Sequence, residues 1–307
     1  EFMSIARQQE IKATLYIMLL QKREENAITL AATANNGRII EEPMPAGIVS
    51  PQGKKIYMIT FVIGIGIPLG IIFLLNLLRF RIEGHTDVEK LTKVPIIGDI
   101  PLTGSNKHEE SAIAVREDDN DIMTETFRSL RTNLLFMMGD PDKKVVLVTS
   151  TISGEGKTFI ASNLALSLAL LGKKVILVGL DIRKPGLNKL FHLSHKEKGI
   201  TQYLVAPKST DLHALIQPSG ITSNLDLLLG GPIPPNPTEL LARQSLEDTI
   251  STLRKEYDYI VLDTAPIGMV TDTLILSRVA DASIYVCRAD YTHKTDYQLI
   301  NELQEHH

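Results

Sequence analysis

VVLVTSTISGEGKTFIASNL, Val145–Leu164, opens on a β-branched run, passes through a glycine-bearing loop and continues from Lys157-Thr158 into an apolar helical stretch. Strand, loop and helix in that order are the setting a phosphate-binding P-loop requires. The N–H groups of Ser153, Gly154, Glu155 and Gly156, and those of the helix start through Phe159, are expected to converge on a polyphosphate. The helix dipole favours anionic charge there, Lys157 neutralises it, and the Thr158 hydroxyl is a ligand for Mg²⁺. One position departs from GxxxxGK[ST]: Thr151 stands where the first glycine is expected. A Gly/Ser-rich turn before an ordinary helix is the alternative. It is set aside because strand, loop, Lys-Thr and helix all fall in the right order.

The alternation continues on both sides of this stretch. Helix is expected over Asp121–Met138, strand over Lys144–Ser150, helix from the loop to about Leu171, and strand over Lys174–Asp181. Short helices at Ile200–Leu204 and Asp211–Gln217 follow, then a strand over Asn224–Leu229. A helix over Pro237–Glu256 has proline at its start. Strand Tyr259–Asp263, helix Thr271–Val279, strand Ala282–Arg288 and helix Lys294–Glu305 complete the pattern. Continuous apolar strands between helices predict an α/β fold, a P-loop NTPase domain whose parallel sheet is covered by helices on both faces.

Ligands of such sheets bind at the carboxyl ends of the strands, and two carboxylates fall there. Asp263 follows Tyr-Ile-Val-Leu, and Asp181 follows Val-Gly-Leu and precedes Ile182-Arg183-Lys184. Each alone reads equally well as a turn residue. Beside a P-loop, the joint reading places Thr158, Asp181 and Asp263 around Mg²⁺ on the phosphates of ATP, with Lys157 neutralising the transferred group. Arg183 reads either as a catalytic, phosphate-side group or as the partner of a local carboxylate.

Upstream, Ser4–Ala34 reads as one long helix with apolar Ile11, Leu15, Met18, Leu19 and Leu30 at roughly helical spacing. Its charges (QKREEN) form a solvated face or pair between subunits. Asn35-Asn36-Gly37 is a C-cap, Arg38–Glu42 a candidate strand, and Pro43–Pro51 an extended proline segment. Ile56–Leu78 carries no formal charge; at about 1.5 Å per residue it spans roughly 34 Å, enough for a transmembrane helix. Lys54, Lys55, Arg79 and Arg81 bracket it as interface anchors do. Thr86–Thr92 is expected to be a helix capped by its threonine, Val94–Ile100 a strand, and Thr103–Asn120 a polar linker rather than a functional acidic patch.

Composition narrows the classes further. The net charge is −4 and aromatics are 5% of the chain, with no Trp, so nothing indicates nucleic acid as a partner. The only cysteine, Cys287, sits in an apolar run and reads as a small buried hydrophobe rather than a reactive thiol. Glu1-Phe2 before Met3 resembles a cloning scar, no signal peptide is legible, and the chain reads as an internal fragment of something longer.

Four segments together resemble the bacterial tyrosine kinases of capsular and exopolysaccharide biosynthesis: TSTISGEGKT, VILVGLDIRKP, YDYIVLDTAP, and Glu125-Thr-Phe-Arg128-Ser-Leu-Arg131. The resemblance extends upstream to the last part of a polysaccharide co-polymerase module. It implies an ATP- and Mg²⁺-dependent protein-tyrosine kinase that autophosphorylates in a ring-shaped homo-oligomer, with an octamer as the size entertained. Partners would be the tyrosine-rich tail of a neighbouring subunit, a tyrosine phosphatase, the membrane and the polysaccharide polymerase and export machinery. Glu125, Arg128 and Arg131 match an ExxRxxR oligomerisation motif, although the same spacing also suits a salt-bridged helix face. The implied organisation is an extracytoplasmic helix and proline segment (1–55), a transmembrane helix (56–78), a juxtamembrane segment and linker (79–120) and a cytoplasmic kinase domain (121–307), in a bacterial inner membrane. The septum-site and partition ATPases differ in carrying a second lysine where Ile152 stands. Two departures from the kinase pattern stand out. Its DxD has Gly179 in place of the first aspartate, leaving only Asp181, and no tyrosine cluster follows the isolated Tyr291 and Tyr297.

Overall fold

The computed structural model describes residues 2–32, 51–77, 80–102, 113–116, 121–193 and 198–301. They fall into two units, Glu1–Phe73 and Leu74–His307. In the first, α1 (Phe2–Ala32) is a single long helix on which Ile11, Leu15, Met18, Leu19 and Leu30 are all exposed. Helix α2 (Gly53–Leu77), which runs on past the boundary, is long and apolar enough to cross a membrane, contains Pro68, and exposes its apolar side chains from Ile56 to Leu74. The expected cap at 35–37, the strand at 38–42, nearly all of the proline segment and positions 302–305 of the last helix lie outside the described residues.

The second unit is built on six strands: β1 (Val145–Ser150), β2 (Val175–Gly179), β3 (Ile216–Pro218), β4 (Leu225–Leu228), β5 (Tyr259–Asp263) and β6 (Ala282–Val286), in the order β3-β4-β2-β5-β1-β6. All neighbours are parallel except β3 with β4. The strict alternation of a strand sends Val146 and Val148 of β1, with Val175 and Leu177 of β2, into the core beneath α4 (Ile122–Met138), α5 (Lys157–Ala169) and the short α6 (Leu187–Leu190). Val145, Leu147, Ile176 and Val178 go to the opposite core with α7 (Ile200–Val205), α8 (Pro237–Leu241), α9 (Gln244–Glu256) and α10 (Asp272–Ser277). Both faces are dry, which is why the strands read as unbroken apolar runs.

Several expectations are corrected. Residues 94–100 form no strand: Pro95 and Pro101 limit the donors, and the segment lies against α4 instead, with Asn133 Nδ2 donating to Ile97 O at 2.8 Å. A Cβ on Gly98 would approach Leu130 Cδ1 to 3.2 Å, so the contact is close. Helix α3 (His85–Leu91) takes Gly84 as its N-cap, with no side-chain cap bond, rather than Thr86. The expected linker is packed over Ile113–Arg116: Val115 is buried, and the Ala114 and Val115 N–H groups donate to Asn163 Oδ1 at 2.8 and 3.1 Å. Residues 103–112 and 117–120 of it lie outside the described residues. Only His213–Leu215, a 3₁₀ turn, is helical in 211–217, and β3 follows it. The long helix expected from Pro237 is two helices, because Arg243 is extended (φ −71°, ψ 151°); Arg278 Nη2 reaches the freed Leu241 carbonyl at 3.2 Å and, at 3.4 Å, the Arg243 carbonyl that also accepts Leu246 N. The last helix begins as α11 (Lys294–Tyr297), is interrupted by a turn at Gln298 and resumes over residues 299–301.

Candidate nucleotide site

Strand β1 ends at Ser150 and α5 starts at Lys157, so the loop of residues 151–156 stands at the carboxyl edge of the sheet. Its bends need φ of 96° at Gly154 and 97° at Gly156, where a side chain would be strained. Thr151 is not among the positive-φ residues and serves another purpose. Buried to 2% exposure, its hydroxyl bonds the Tyr285 hydroxyl at 2.6 Å, and its carbonyl accepts Gly268 N at 3.0 Å. The missing first glycine is therefore a tertiary anchor. Ser153 and Gly154 face solvent. The Glu155 side chain does not: it turns inward, accepting Ile152 N at 2.8 Å and a bond from Thr292 Oγ1. Burial pushes its carboxyl up against those bonds. The Phe159 ring packs edge-to-face on Phe127, with centroids 5.8 Å apart. Glu155 and Phe159 thus offer a phosphate only their backbone N–H groups.

The order of the strands brings the two expected carboxylates to the loop. Strand β5 lies between β1 and β2, with Asp263 level with Val148 on one side and Gly179 on the other. Thr158 Oγ1 donates to Asp263 Oδ1 at 3.1 Å, and Lys157 Nζ lies 3.0 Å from Asp181 Oδ2. The backbone N–H groups of Leu180 and Asp181 donate to Asp263 O at 2.8 and 3.0 Å, and Lys184 N donates to Asp181 Oδ1 at 3.0 Å. Lys157, Thr158, Asp181 and Asp263 therefore form one cluster. Two carboxylates and a hydroxyl suit Mg²⁺, which takes its remaining ligands from phosphates and water. No group of three or more His, Cys, Asp or Glu with metal-holding spacing occurs among the described residues.

Burial pushes the Asp263 carboxyl up to about 7, with Asp181 adding to the rise while Lys157 and the Thr158 bond oppose it. The folded protein keeps this proton where the unfolded chain has released it. This group therefore lowers stability as the pH rises from about 4 to about 7, and its effect is level above that. Asp263→Asn is accordingly expected to raise the melting temperature of the nucleotide-free protein at about pH 8. The gain should shrink as the pH falls toward about 4 in a series of thermal melts.

Arg183 takes the local-carboxylate alternative. Its Nε and Nη2 donate to Asp272 Oδ2 and Oδ1 at 2.7 and 3.1 Å, and Nη2 reaches Thr238 Oγ1 at 2.8 Å. Burial pushes the Asp272 carboxyl up, but the Arg183 and Thr238 bonds outweigh it and hold the group low. Asp272, only 1% exposed, was not legible as this partner because it lies on a different element far along the chain. Arg183→Ala strands that charge and is expected to lower the melting temperature by several degrees, while Arg183→Ala with Asp272→Asn recovers part of the loss. On α4, Arg128 pairs with Glu125, and Arg131 Nη1 donates to Ser167 O at 2.6 Å. The motif thus has intramolecular contacts of its own.

A central P-loop flanked by strand-end carboxylates defines a P-loop NTPase domain. A family model described as AAA domain matches residues 143–306, more than half of the chain. The tyrosine-protein kinase wzc of Salmonella typhi is 28% identical over 302 residues, covering 94% of this chain and 41% of that protein. A putative tyrosine-protein kinase, EpsB, of Ralstonia nicotianae is 30% identical over 297 residues, covering 92% of this chain and 39% of that protein. Among solved structures, the kinase domain of the Escherichia coli tyrosine kinase ETK superposes with a TM-score of 0.64 at 26% identity, covering 71% of this chain and 88% of that one. The chimerical protein CapA2B2 gives 0.65 at 30% identity, covering 73% and 93%. The chain belongs to the AAA-domain family, and the curated relatives it is similar to are named as bacterial tyrosine-protein kinases. It spans about 41% of the length of the Salmonella relative.

Proposed function

We propose that this chain is an ATP- and Mg²⁺-dependent protein-tyrosine kinase acting on tyrosines of neighbouring copies. The observation that carries the reading is the pairing of both loop residues with strand-end carboxylates, Lys157 with Asp181 and Thr158 with Asp263. Loop N–H groups and Lys157 would hold the β- and γ-phosphates. Lys157 would leave Asp181 for the γ-phosphoryl as negative charge develops there, since phosphoryl transfer depends mainly on positioning and electrostatics. Thr158 with Asp263 and Asp181 would hold Mg²⁺, which neutralises phosphate charge when bound. Asp181, released from Lys157, would accept the phenolic proton on the carboxylate oxygen not turned to Mg²⁺. Arg183, engaged by Asp272, would act by positioning the segment after β2.

The wider reading follows the family. Helix α2 would anchor the protein in a bacterial inner membrane, with α1 outside and the P-loop domain in the cytoplasm where ATP is available. Glu125, Arg128 and Arg131 would join subunits into a ring. Tail phosphorylation would add like charges that push subunits apart, a phosphatase would reverse it, and the cycle would govern polysaccharide chain length and export. Gly179 favours a second reading, an assembly scaffold in which bound ATP organises the ring with little transfer.

Labelled ATP-Mg²⁺ with a tyrosine-rich peptide separates these, with phosphotyrosine and free phosphate followed apart. Phosphotyrosine is expected. Tight ATP binding with none supports the scaffold, and phosphate release alone supports a water-directed ATPase. For the ring, Arg128→Ala with Arg131→Ala is expected to lower the mass measured by light scattering; an unchanged mass removes the motif from assembly.

A further inference from the structure

Between β4 and α8 the chain runs Gly230-Gly-Pro-Ile-Pro-Pro-Asn-Pro237, four prolines among eight residues. The root of this loop packs on the segment that carries Asp181. A Cβ on Gly230 would stand 3.5 Å from Pro185 Cβ and 3.8 Å from Ile182 Cγ2. The same segment meets the P-loop helix further on, where a Cβ on Gly186 would stand 3.7 Å from Thr158 Cγ2. The proline loop is thus one packing layer removed from the Lys157–Asp181 pair.

Both ends of the loop are fixed. Ile200 N donates to Leu229 O at 2.8 Å, Thr201 N to Gly230 O at 3.1 Å, and Thr201 Oγ1 to Pro232 O at 3.0 Å. Gly231 takes φ of 83°, and a Cβ on it would lie 2.7 Å from Thr201 Oγ1, so the start of α7 sits directly on the loop. At the far end Thr238 Oγ1 donates to Asp272 Oδ1 at 2.7 Å and accepts Arg183 Nη2 at 2.8 Å. Between these anchors Pro232, Ile233, Pro235 and Asn236 face solvent, Ile233 to 63% exposure.

Prolines carry no N–H, so a bound chain finds few backbone donors along this loop. What the loop offers is proline ring surface and one isoleucine, already held in place, and proline surface pairs with aromatic rings. A tyrosine acceptor has the matching chemistry: its ring needs an apolar support while its oxygen is presented to a carboxylate. We propose that Pro232-Ile233-Pro234-Pro235 is the acceptor-binding lip of the site, that Ile233 sets affinity for the tyrosine-bearing segment, and that Thr201 is the positioning residue that fixes the lip. This deepens the kinase reading above and rests on it.

The test uses the 307-residue chain in detergent micelles, a synthetic peptide of tyrosines separated by glycines, and a fluorescent ATP analogue. Ile233→Ala is expected to raise KM for the peptide about three- to tenfold. Its kcat at saturating peptide and its affinity for the analogue should match the unmodified chain, a split that general loss of folded protein does not produce. Ile233→Leu should stay within about twofold of the unmodified KM. Thr201→Val, which releases Pro232 O, is expected to raise the same KM with analogue affinity retained, and Thr201→Ser to restore it. An unmodified chain that binds the analogue yet forms no phosphotyrosine sinks the kinase reading and the lip with it. Phosphotyrosine formation with an unchanged peptide KM in Ile233→Ala overturns the lip alone, and an unchanged KM in Thr201→Val overturns its positioning residue. By light scattering without peptide, Ile233→Ala should keep the mass of the unmodified chain; a lower mass assigns the lip to a contact between copies and overturns its acceptor role.

Discussion

Lys157→Met is expected to lower phosphotyrosine formation by about 10³-fold or more, the scale on which single charge-stabilising groups act in such transfers. The geometry gives the loss two components. One is the missing cation at the γ-phosphoryl. The other is local: Asp181, 5% exposed at its side chain, loses the ammonium 3.0 Å away and is left near buried Asp263. Breaking one side of a buried pair costs about 3–5 kcal/mol. Lys157 is still 12% exposed, so the cost here should fall toward the lower figure, because water reaches the pair. Lys157→Met with Asp181→Asn is therefore expected to regain stability without regaining activity. Initial rates and thermal melts of the three variants check this; a rate within tenfold of the unmodified chain removes Lys157 from the chemistry.

Gly179→Asp, which restores the second carboxylate of the family pattern, is expected to destabilise the protein and to leave the transfer rate no higher. Gly179 ends β2 level with Asp263. A Cβ there would stand 3.1 Å from Leu187 Cδ1 and 3.2 Å from Gly230 N. The leucine can turn aside, but the backbone at Gly230 cannot move without shifting the chain beyond β4. Overpacking of this kind costs about 1–3 kcal/mol, and a further carboxylate beside Asp181 and Asp263 adds repulsion. Gly179→Ala isolates the steric part and should carry most of the loss in melting temperature. A faster, equally stable Gly179→Asp enzyme would show instead that the position lacks only its charge.

The apolar runs, the glycines and Lys157-Thr158 were sufficient for the two-faced parallel sheet and for placing the loop at its edge. That legibility has a physical source: a strand buried on both faces must be apolar throughout, and a phosphate-binding turn must have glycine where φ is positive. Asp181 and Asp263 were legible for a related reason, since a carboxylate directly after a dry strand marks its carboxyl end.

Partnerships across the fold were not legible. Pairing Arg183 with Asp272, turning Glu155 inward onto Thr292 and setting Phe159 on Phe127 all depend on which elements meet in space. The break at Arg243 depends on Arg278 offering its guanidinium to the freed Leu241 carbonyl, and the lost strand at 94–100 on prolines meeting a helix rather than a sheet edge. Periodicity reports the side of an element that is buried but carries no information about its partner. Thus the chain's local chemistry specified a P-loop, its sheet and the carboxylates beside it. Long-range packing decided which of those groups are left to meet a nucleotide, and assigned Thr151 and Thr292 to holding the loop.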